Sequence, residues 1–62
     1  METALPLLMR DGAIHVIFHP RLTPRQYGEL ALVIEKAATK AELCEALEAF
    51  ACHWGIAVDF EE

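Results

Sequence analysis

The sequence predicts an α+β fold, a ββααβ two-layer sandwich in which a small antiparallel sheet packs on an antiparallel helical hairpin. Three observations predict it: an Asp-Gly pair between apolar runs, two capping-box sequences that each open a helical pattern, and an alternating segment near the C-terminus. The expected strands lie near residues 4–9, 13–18 and 56–60, and the expected helices near residues 24–38 and 40–54. We expect residues 1–62 to form one small domain.

The first two strands are predicted to form a hairpin around Asp11 and Gly12. Asp-Gly is typical of a type I′ turn, because both central residues of that turn need positive φ. The core-facing pairs would then be Met9 with Ile14, Leu7 with Val16 and Leu5 with Phe18. Pro6 cannot donate to a strand ladder, so the first strand is expected at an edge of the sheet. The alternative is that residues 1–9 form a loose arm.

Both helices are predicted to begin at a threonine. The Thr23 hydroxyl can cap the first turn, Pro24 needs no amide partner, and Gln26 completes a capping box. Thr39 and Glu42 form a second capping box. The expected apolar stripe of the first helix is Tyr27, Leu30, Ala31, Ile34, Ala37 and Ala38. The expected stripe of the second is Leu43, Leu47, Phe50, Ala51 and Trp54.

One continuous helix over residues 24–54 is the alternative to a helical pair. At about 100° per residue, the two apolar stripes would lie on nearly opposite sides of such a rod. A sharp turn near Ala38 and Thr39 lets both stripes face one core, and the rod remains only as a domain-swapped dimer. Gly55 is expected to end the second helix in a left-handed conformation.

The composition indicates that a second molecule covers part of the surface. Apolar residues make up 55% of the 62 residues, and the mean hydropathy is +0.27. A chain of this length buries only about 60% of the surface that its unfolded form exposes, so it is marginal alone. Cys44 and Cys52 would lie ~12 Å apart along one helix axis, too far for an intrachain disulfide. We therefore expect a homodimer.

Charge and hydropathy disfavour nucleic acid and membrane as partners. The net charge is −5, and after residue 41 the chain has six acids and no Lys or Arg. Binding to phosphate needs cations that displace counterions, so this composition disfavours direct DNA or RNA binding. No apolar run approaches the roughly 20 residues of a membrane span. The first three residues lack the basic start of a secretory signal, which favours a cytoplasmic protein.

The ionisable residues do not fit a known catalytic or metal motif. His15 and His19 lie on one side of a strand about 13 Å apart, too far to ligate one metal ion within a chain. Cys52 and His53 are adjacent and point to different helix faces, and the Glu48 carboxylate disfavours a Cys52 thiolate. We therefore predict no enzyme activity, no cofactor, and no catalytic or metal site.

Seven residues are candidates for a protein interface. They are Leu8, His15, Ile17, Leu32, Glu42, Glu45 and Glu48. The first three would share the sheet face opposite the core, and Leu32 lies off the stripe of the first helix. The three glutamates, at a spacing of three, form either a solvated helix face or an acidic ridge for a basic partner. Asp59, Glu61 and Glu62 would strengthen such a ridge.

These observations favour a small acidic homodimeric protein-binding module of the accessory, inhibitor or adaptor type. Immunity-type inhibitors and small phage proteins that block host enzymes are examples of that class. A sheet face or an edge strand would pair the subunits, and the acidic helix flank or Leu32 would meet the target. A more distant alternative is a small enzyme whose site forms at a subunit interface with His15 or His19.

A dimeric DNA-binding regulator is the other alternative. The order of one strand and two helices over residues 13–54 resembles that of ribbon-helix-helix repressors, and the resemblance implies a dimer that reads DNA with its strand. The cations available for such a role are Arg10, Arg21 and Arg25. The strand at residues 13–18 contains no Lys or Arg, and the chain is acidic. We therefore do not assign it to that family.

Overall fold

The computed structural model describes residues 2–62, and within them the chain forms three strands and two helices. The elements are β1 (Thr3–Met9), β2 (Gly12–His19), α1 (Pro24–Lys36), α2 (Lys40–Trp54) and β3 (Ala57–Glu61). The predicted α+β class and the ββααβ order are confirmed. Residues 3–9 form a strand, so the alternative of a loose arm is wrong for them.

The sheet has the strand order β1-β2-β3, and both pairings are antiparallel. The helices cover one face of this sheet, with α2 packed against β2 and β3 and α1 packed beside α2. After the helical pair the chain returns to place β3 beside β2. Strand β2 is therefore the central strand, and β1 lies at an edge of the sheet, as predicted from Pro6.

The predicted type I′ turn at Asp11 and Gly12 is wrong. The turn residues are Arg10 and Asp11, neither of which has positive φ, and Met9 pairs with Gly12. Every predicted pair therefore shifts by two residues, which leaves the same side chains on the core face because the period of a strand is two. The observed pairs are Leu7 with Ile14, Leu5 with Val16 and Thr3 with Phe18.

Contacts to the helical layer explain the position of this turn. The Arg10 amide donates to the Ala38 carbonyl at 3.0 Å, and the Asp11 carboxylate accepts from the Lys40 amide at 2.8 Å. These bonds hold the strand turn against the short connection between α1 and α2. The hairpin is therefore placed by tertiary contacts that turn propensity alone does not include.

The core lies between the inner sheet face and the two helices. Its most deeply buried side chains are Ile14, Val16, Phe18, Leu30, Leu43 and Leu47. The Phe18 and Phe50 rings meet edge to face with centroids 5.8 Å apart. The predicted stripe of α2 is confirmed, with Trp54 partly buried at its end.

The predicted stripe of α1 is partly wrong. Tyr27 and Ala31 are exposed, whereas Gln26 is buried. The Trp54 indole N–H donates to the Glu29 carboxylate at 2.8 Å, so α2 lies on that flank of α1. The side of α1 that carries Gln26 is therefore buried, and the opposite flank, with Tyr27 and Ala31, is exposed to water.

The helix ends follow the expected chemistry. Thr23 and Thr39 both complete capping boxes, and Gly55 ends α2 at φ 68°, as predicted. Helix α1 ends at Lys36, two residues before the predicted end, so Ala38 of the predicted stripe lies outside the helix and is exposed. The chain thus bends between the helices, and a continuous rod is not the structure.

Candidate protein-binding surfaces

The sheet face opposite the helices, here the outer sheet face, is uncovered. Because side chains alternate along a strand, it presents every second residue of each strand. Its residues are Ala4, Pro6, Leu8, Ala13, His15, Ile17, His19, Ala57, Asp59 and Glu61. All of them are exposed except Ile17, which is half-buried, and the Leu8 side chain is 83% exposed. The structure thus brings together three predicted interface residues, Leu8, His15 and Ile17.

The outer sheet face has an apolar half and an acidic margin. The apolar residues lie mainly on β1 and β2, whereas Asp59 and Glu61 lie on β3. His19 sits near this margin, with Nε2 3.6 Å from a Glu2 carboxylate oxygen and 3.8 Å from an Asp59 carboxylate oxygen. The register places His15 between Pro6 and Glu61. The face therefore combines a flat apolar area with negative charge along one side.

The free edge of β1 is poorly suited to bind another strand. Met9 pairs with Gly12 across a two-residue turn. A turn of this length closes on a hydrogen-bonded pair, and bonded and non-bonded pairs alternate from there. Ala4, Pro6 and Leu8 consequently direct their backbone groups to the free edge. Pro6 has no amide hydrogen, so the middle of that edge lacks a donor. Proline at such a position is a common protection against edge-to-edge pairing.

A second apolar surface lies on α1, on the side away from the sheet. We call it the outer α1 face; its residues are Pro24, Tyr27, Gly28, Ala31, Leu32 and Glu35, all of them exposed. The Leu32 side chain is 59% exposed and that of Tyr27 is 41% exposed. Leu32 and Leu8 are therefore both exposed, as predicted for an interface, but they lie on opposite layers of the protein.

Gly28 has no structural role that the fold reveals. It lies inside α1, where glycine costs roughly 1 kcal/mol relative to alanine. Apart from the two neighbouring residues and the backbone of α1 itself, an added Cβ would meet no heavy atom of the described residues within 4 Å. No close contact within residues 2–62 therefore requires glycine here, and the missing side chain leaves a shallow depression on the outer α1 face.

The residues of the predicted acidic ridge lie on two elements, α2 and the C-terminal strand with its end. The Glu42 carboxylate accepts from the Ala38 amide at 3.0 Å and the Thr39 amide at 3.2 Å, and these hydrogen bonds lower its pKa. Glu45 and Glu48 are exposed on α2. Glu62 accepts from the Lys40 ammonium at 2.7 Å, a contact that raises the lysine pKa. Glu42 is thus a helix cap, and the other acids are divided between α2 and the sheet.

The cysteines are free and lie in different environments. Cys44 packs against the core, and burial together with the Glu48 and Glu62 carboxylates raises the pKa of its thiol. Cys52 is exposed on α2. No three His, Cys, Asp or Glu side chains in residues 2–62 are arranged to hold a metal ion, and that part of the chain has no pocket. None of the helices described is long and apolar enough to cross a membrane.

The outer α1 face is the feature that sequence reasoning missed. The predicted core stripe includes Tyr27 and Ala31, which leaves Leu32 as an isolated exposed leucine. The available signal is the i, i+4 spacing of Gly28 and Leu32, which puts both on one side of the helix. Comparison with protein-family models, with curated proteins and with solved structures finds no match to this chain.

Proposed function

We propose that this chain is a small homodimeric protein-binding module without catalysis of its own. The observation that carries the proposal is the pair of uncovered apolar surfaces on opposite layers, the outer sheet face and the outer α1 face. A 62-residue chain needs most of its apolar side chains to form a core. Two such surfaces on one small domain therefore support binding to other protein molecules.

The two surfaces serve different partners in this proposal. If both paired with identical copies, the assembly would be larger than a dimer, either a closed dihedral oligomer or an open array. A closed homodimer needs only one of them. The other surface is then available for a protein of a different kind, which we call the target.

The outer sheet face has the chemistry of the target site. Its apolar half would cover aliphatic or aromatic side chains, and the carboxylates of Asp59 and Glu61 would face lysine or arginine at the margin. Accessory subunits and inhibitors bind their targets through surfaces of this kind. The sequence favours a sheet that pairs the subunits and a helix that meets the target, whereas this proposal assigns the target to the sheet and the pairing to the helix.

The DNA-binding alternative has less support. Strand β2 is bonded on both sides, to β1 and to β3, so it has no free edge for the strand of a second copy. The outer sheet face presents no lysine or arginine, and its acids would repel phosphate. We therefore do not propose a nucleic-acid function, and no observation favours the alternative of an interface enzyme.

Affinity capture with matched variants tests the target site. Leu8→Glu places a charge in the apolar half of the outer sheet face, and Ala49→Glu places the same side chain on the exposed side of α2. We expect the same host proteins to be retained by the unmodified chain and by Ala49→Glu, and lost with Leu8→Glu. Equal retention by all three chains would refute the assignment of the target site.

A further inference from the structure

We infer that the outer α1 face is the surface through which two copies of this chain pair, with their α1 helices antiparallel. The inference rests on the proposed homodimer and names the surface that forms it. The occupant is a second copy because the face is complementary to itself in both shape and charge. Three residues of the face, Gly28, Leu32 and Glu35, carry this complementarity together with Arg25, which is exposed beside Leu32 at the edge of the face.

The positions of these residues match a two-fold axis. Gly28 and Leu32 lie two residues on either side of Leu30, and Arg25 and Glu35 lie five residues on either side of it. At 100° per residue, the four fall within about 80° of the helix circumference. They therefore share one side of α1 and are symmetric about its middle.

An antiparallel pair centred on Leu30 brings unlike residues to the same height. Each Leu32 then lies level with the depression at the partner copy's Gly28, about 3 Å from the axis along the helix. A large side chain over a small one lets two helices approach closely. Because no side chain and no other element of the described chain comes within 4 Å of a Cβ built at Gly28, apart from its two chain neighbours, the depression is open to a second molecule.

The same arrangement pairs opposite charges. Each Arg25 guanidinium lies level with the Glu35 carboxylate of the other copy, so the pair forms twice. Both residues are exposed, and neither forms an ion pair within residues 2–62. Arg25 Cζ lies 6.0 Å from the centroid of the Trp54 ring, so the side chain lies at the α2 edge of this surface and would turn outward to pair.

Net charge also favours α1 for self-pairing. Helix α1 carries two acids and two bases, whereas α2 carries three acids and one base and β3 carries two acids. Copies with a net charge of −5 repel each other least where the local charge cancels. Stacking the outer sheet faces would instead bring two copies of Asp59 and Glu61 into one interface.

The size of the surface sets the expected affinity. Helix α1 has 13 residues and is therefore about 20 Å long. Such a helix pair covers less than the roughly 800 Å² per partner of a standard interface. We therefore expect a reversible dimer with a dissociation constant on the order of micromolar to tens of micromolar.

Charge reversal in the two positions tests the pairing. In the homodimer of Arg25→Glu both contacts would set one carboxylate against another, and in that of Glu35→Arg both would set one guanidinium against another. We therefore expect at least about tenfold weaker self-association for each variant. In the heterodimer of the two variants, one contact is the original pair of Arg25 and Glu35, and the other has the two charges exchanged. Both contacts are attractive, so the heterodimer should form. Sedimentation equilibrium of each variant, of the mixture and of the double variant R25E/E35R measures this directly.

The outcomes separate this inference from the proposed function. The antiparallel pairing is supported if each single variant self-associates weakly, whereas the mixture and the double variant associate like the unmodified chain. Dimers in all the variants with equal affinity would overturn the inference and leave the homodimer standing. An unmodified chain that is monomeric throughout would overturn both. Circular dichroism of each variant establishes that it is folded, and Glu45→Arg, on α2, controls for charge reversal as such.

Discussion

The carboxylate of Asp11 accepts a hydrogen bond from the backbone amide of Lys40 at 2.8 Å, across 29 positions of the sequence. Lys40 is the first residue of α2, and its amide belongs to the group that a helix leaves without an internal partner. The hairpin turn therefore caps the second helix. This contact joins the β1–β2 turn of the sheet to the connection between α1 and α2 in the helical layer.

Removing this contact is expected to destabilise the fold. Asp11→Ala leaves the Lys40 amide with water alone, and loss of a helix-capping acceptor costs typically about 1 kcal/mol in free energy of unfolding. Asp11→Asn keeps an acceptor oxygen and should lose less. Urea unfolding followed by circular dichroism measures both, with Glu45→Ala as a control on the exposed side of α2. An unchanged midpoint for Asp11→Ala would contradict the capping role.

The Glu42 cap is expected to make stability depend on pH in a defined direction. Hydrogen bonds from the Ala38 and Thr39 amides hold the pKa of Glu42 below its ordinary value of 4.5. Its folded pKa is therefore lower than its unfolded pKa. The stabilisation is fully present above pH 4.5 and is lost as the pH falls through the lower, folded-state value.

Comparison with Glu42→Gln measures that dependence. Glutamine retains an acceptor oxygen but does not titrate, so the unmodified chain should be the more stable above pH 4.5 and lose that advantage as the pH falls below it. Urea unfolding of both chains at several pH values gives the difference. A difference that stays constant over that range would show that the Glu42 charge does not contribute through its pKa.

Gly28→Ala is expected to have opposite effects on folding and on pairing. Because an added methyl group meets no side chain and no other element within 4 Å, apart from its two chain neighbours, alanine should raise the stability of the single chain by up to about 1 kcal/mol. The same methyl group fills part of the depression that would receive Leu32 of the second copy. Thermal unfolding of dilute protein reports the first effect and sedimentation the second. Tighter self-association would contradict the role of Gly28.

Two leucines distinguish the core from the outer α1 face. Leu47 is fully buried, so Leu47→Ala should cost about 2–5 kcal/mol in free energy of unfolding. Leu32 is 59% exposed, so Leu32→Ala should change the stability of the single chain by less than about 0.5 kcal/mol. Chemical unfolding below the dimerisation range measures both. A large loss for Leu32→Ala would mean that this side chain belongs to the core.

Local sequence signals predict most of the fold because they act over a few residues. The capping boxes at Thr23 and Thr39 and the left-handed Gly55 depend on bonds within one turn of helix, and all three are confirmed. The strand turn lies one residue earlier than the Asp-Gly signal predicts, because the hydrogen bond between Asp11 and Lys40 joins distant parts of the chain. Local turn preference contains no information on such a contact.

The surfaces are less predictable than the fold. Leu8, His15 and Ile17 share the outer sheet face, as the period of two predicts. The boundary of the apolar stripe on α1 is a different case, since only the position of Trp54 against Glu29 determines which flank α2 covers. The spacing of apolar residues alone therefore assigns the exposed flank of α1 to the core and hides the second apolar surface.

Sedimentation equilibrium of the unmodified chain at about 100 µM, well above the expected dissociation constant, tests the homodimer most directly. We predict a reversible dimer of twice the 6.9 kDa chain mass that dissociates on dilution. A folded species of 6.9 kDa at that concentration would contradict the homodimer, because both apolar surfaces would then be stable in water without a second copy.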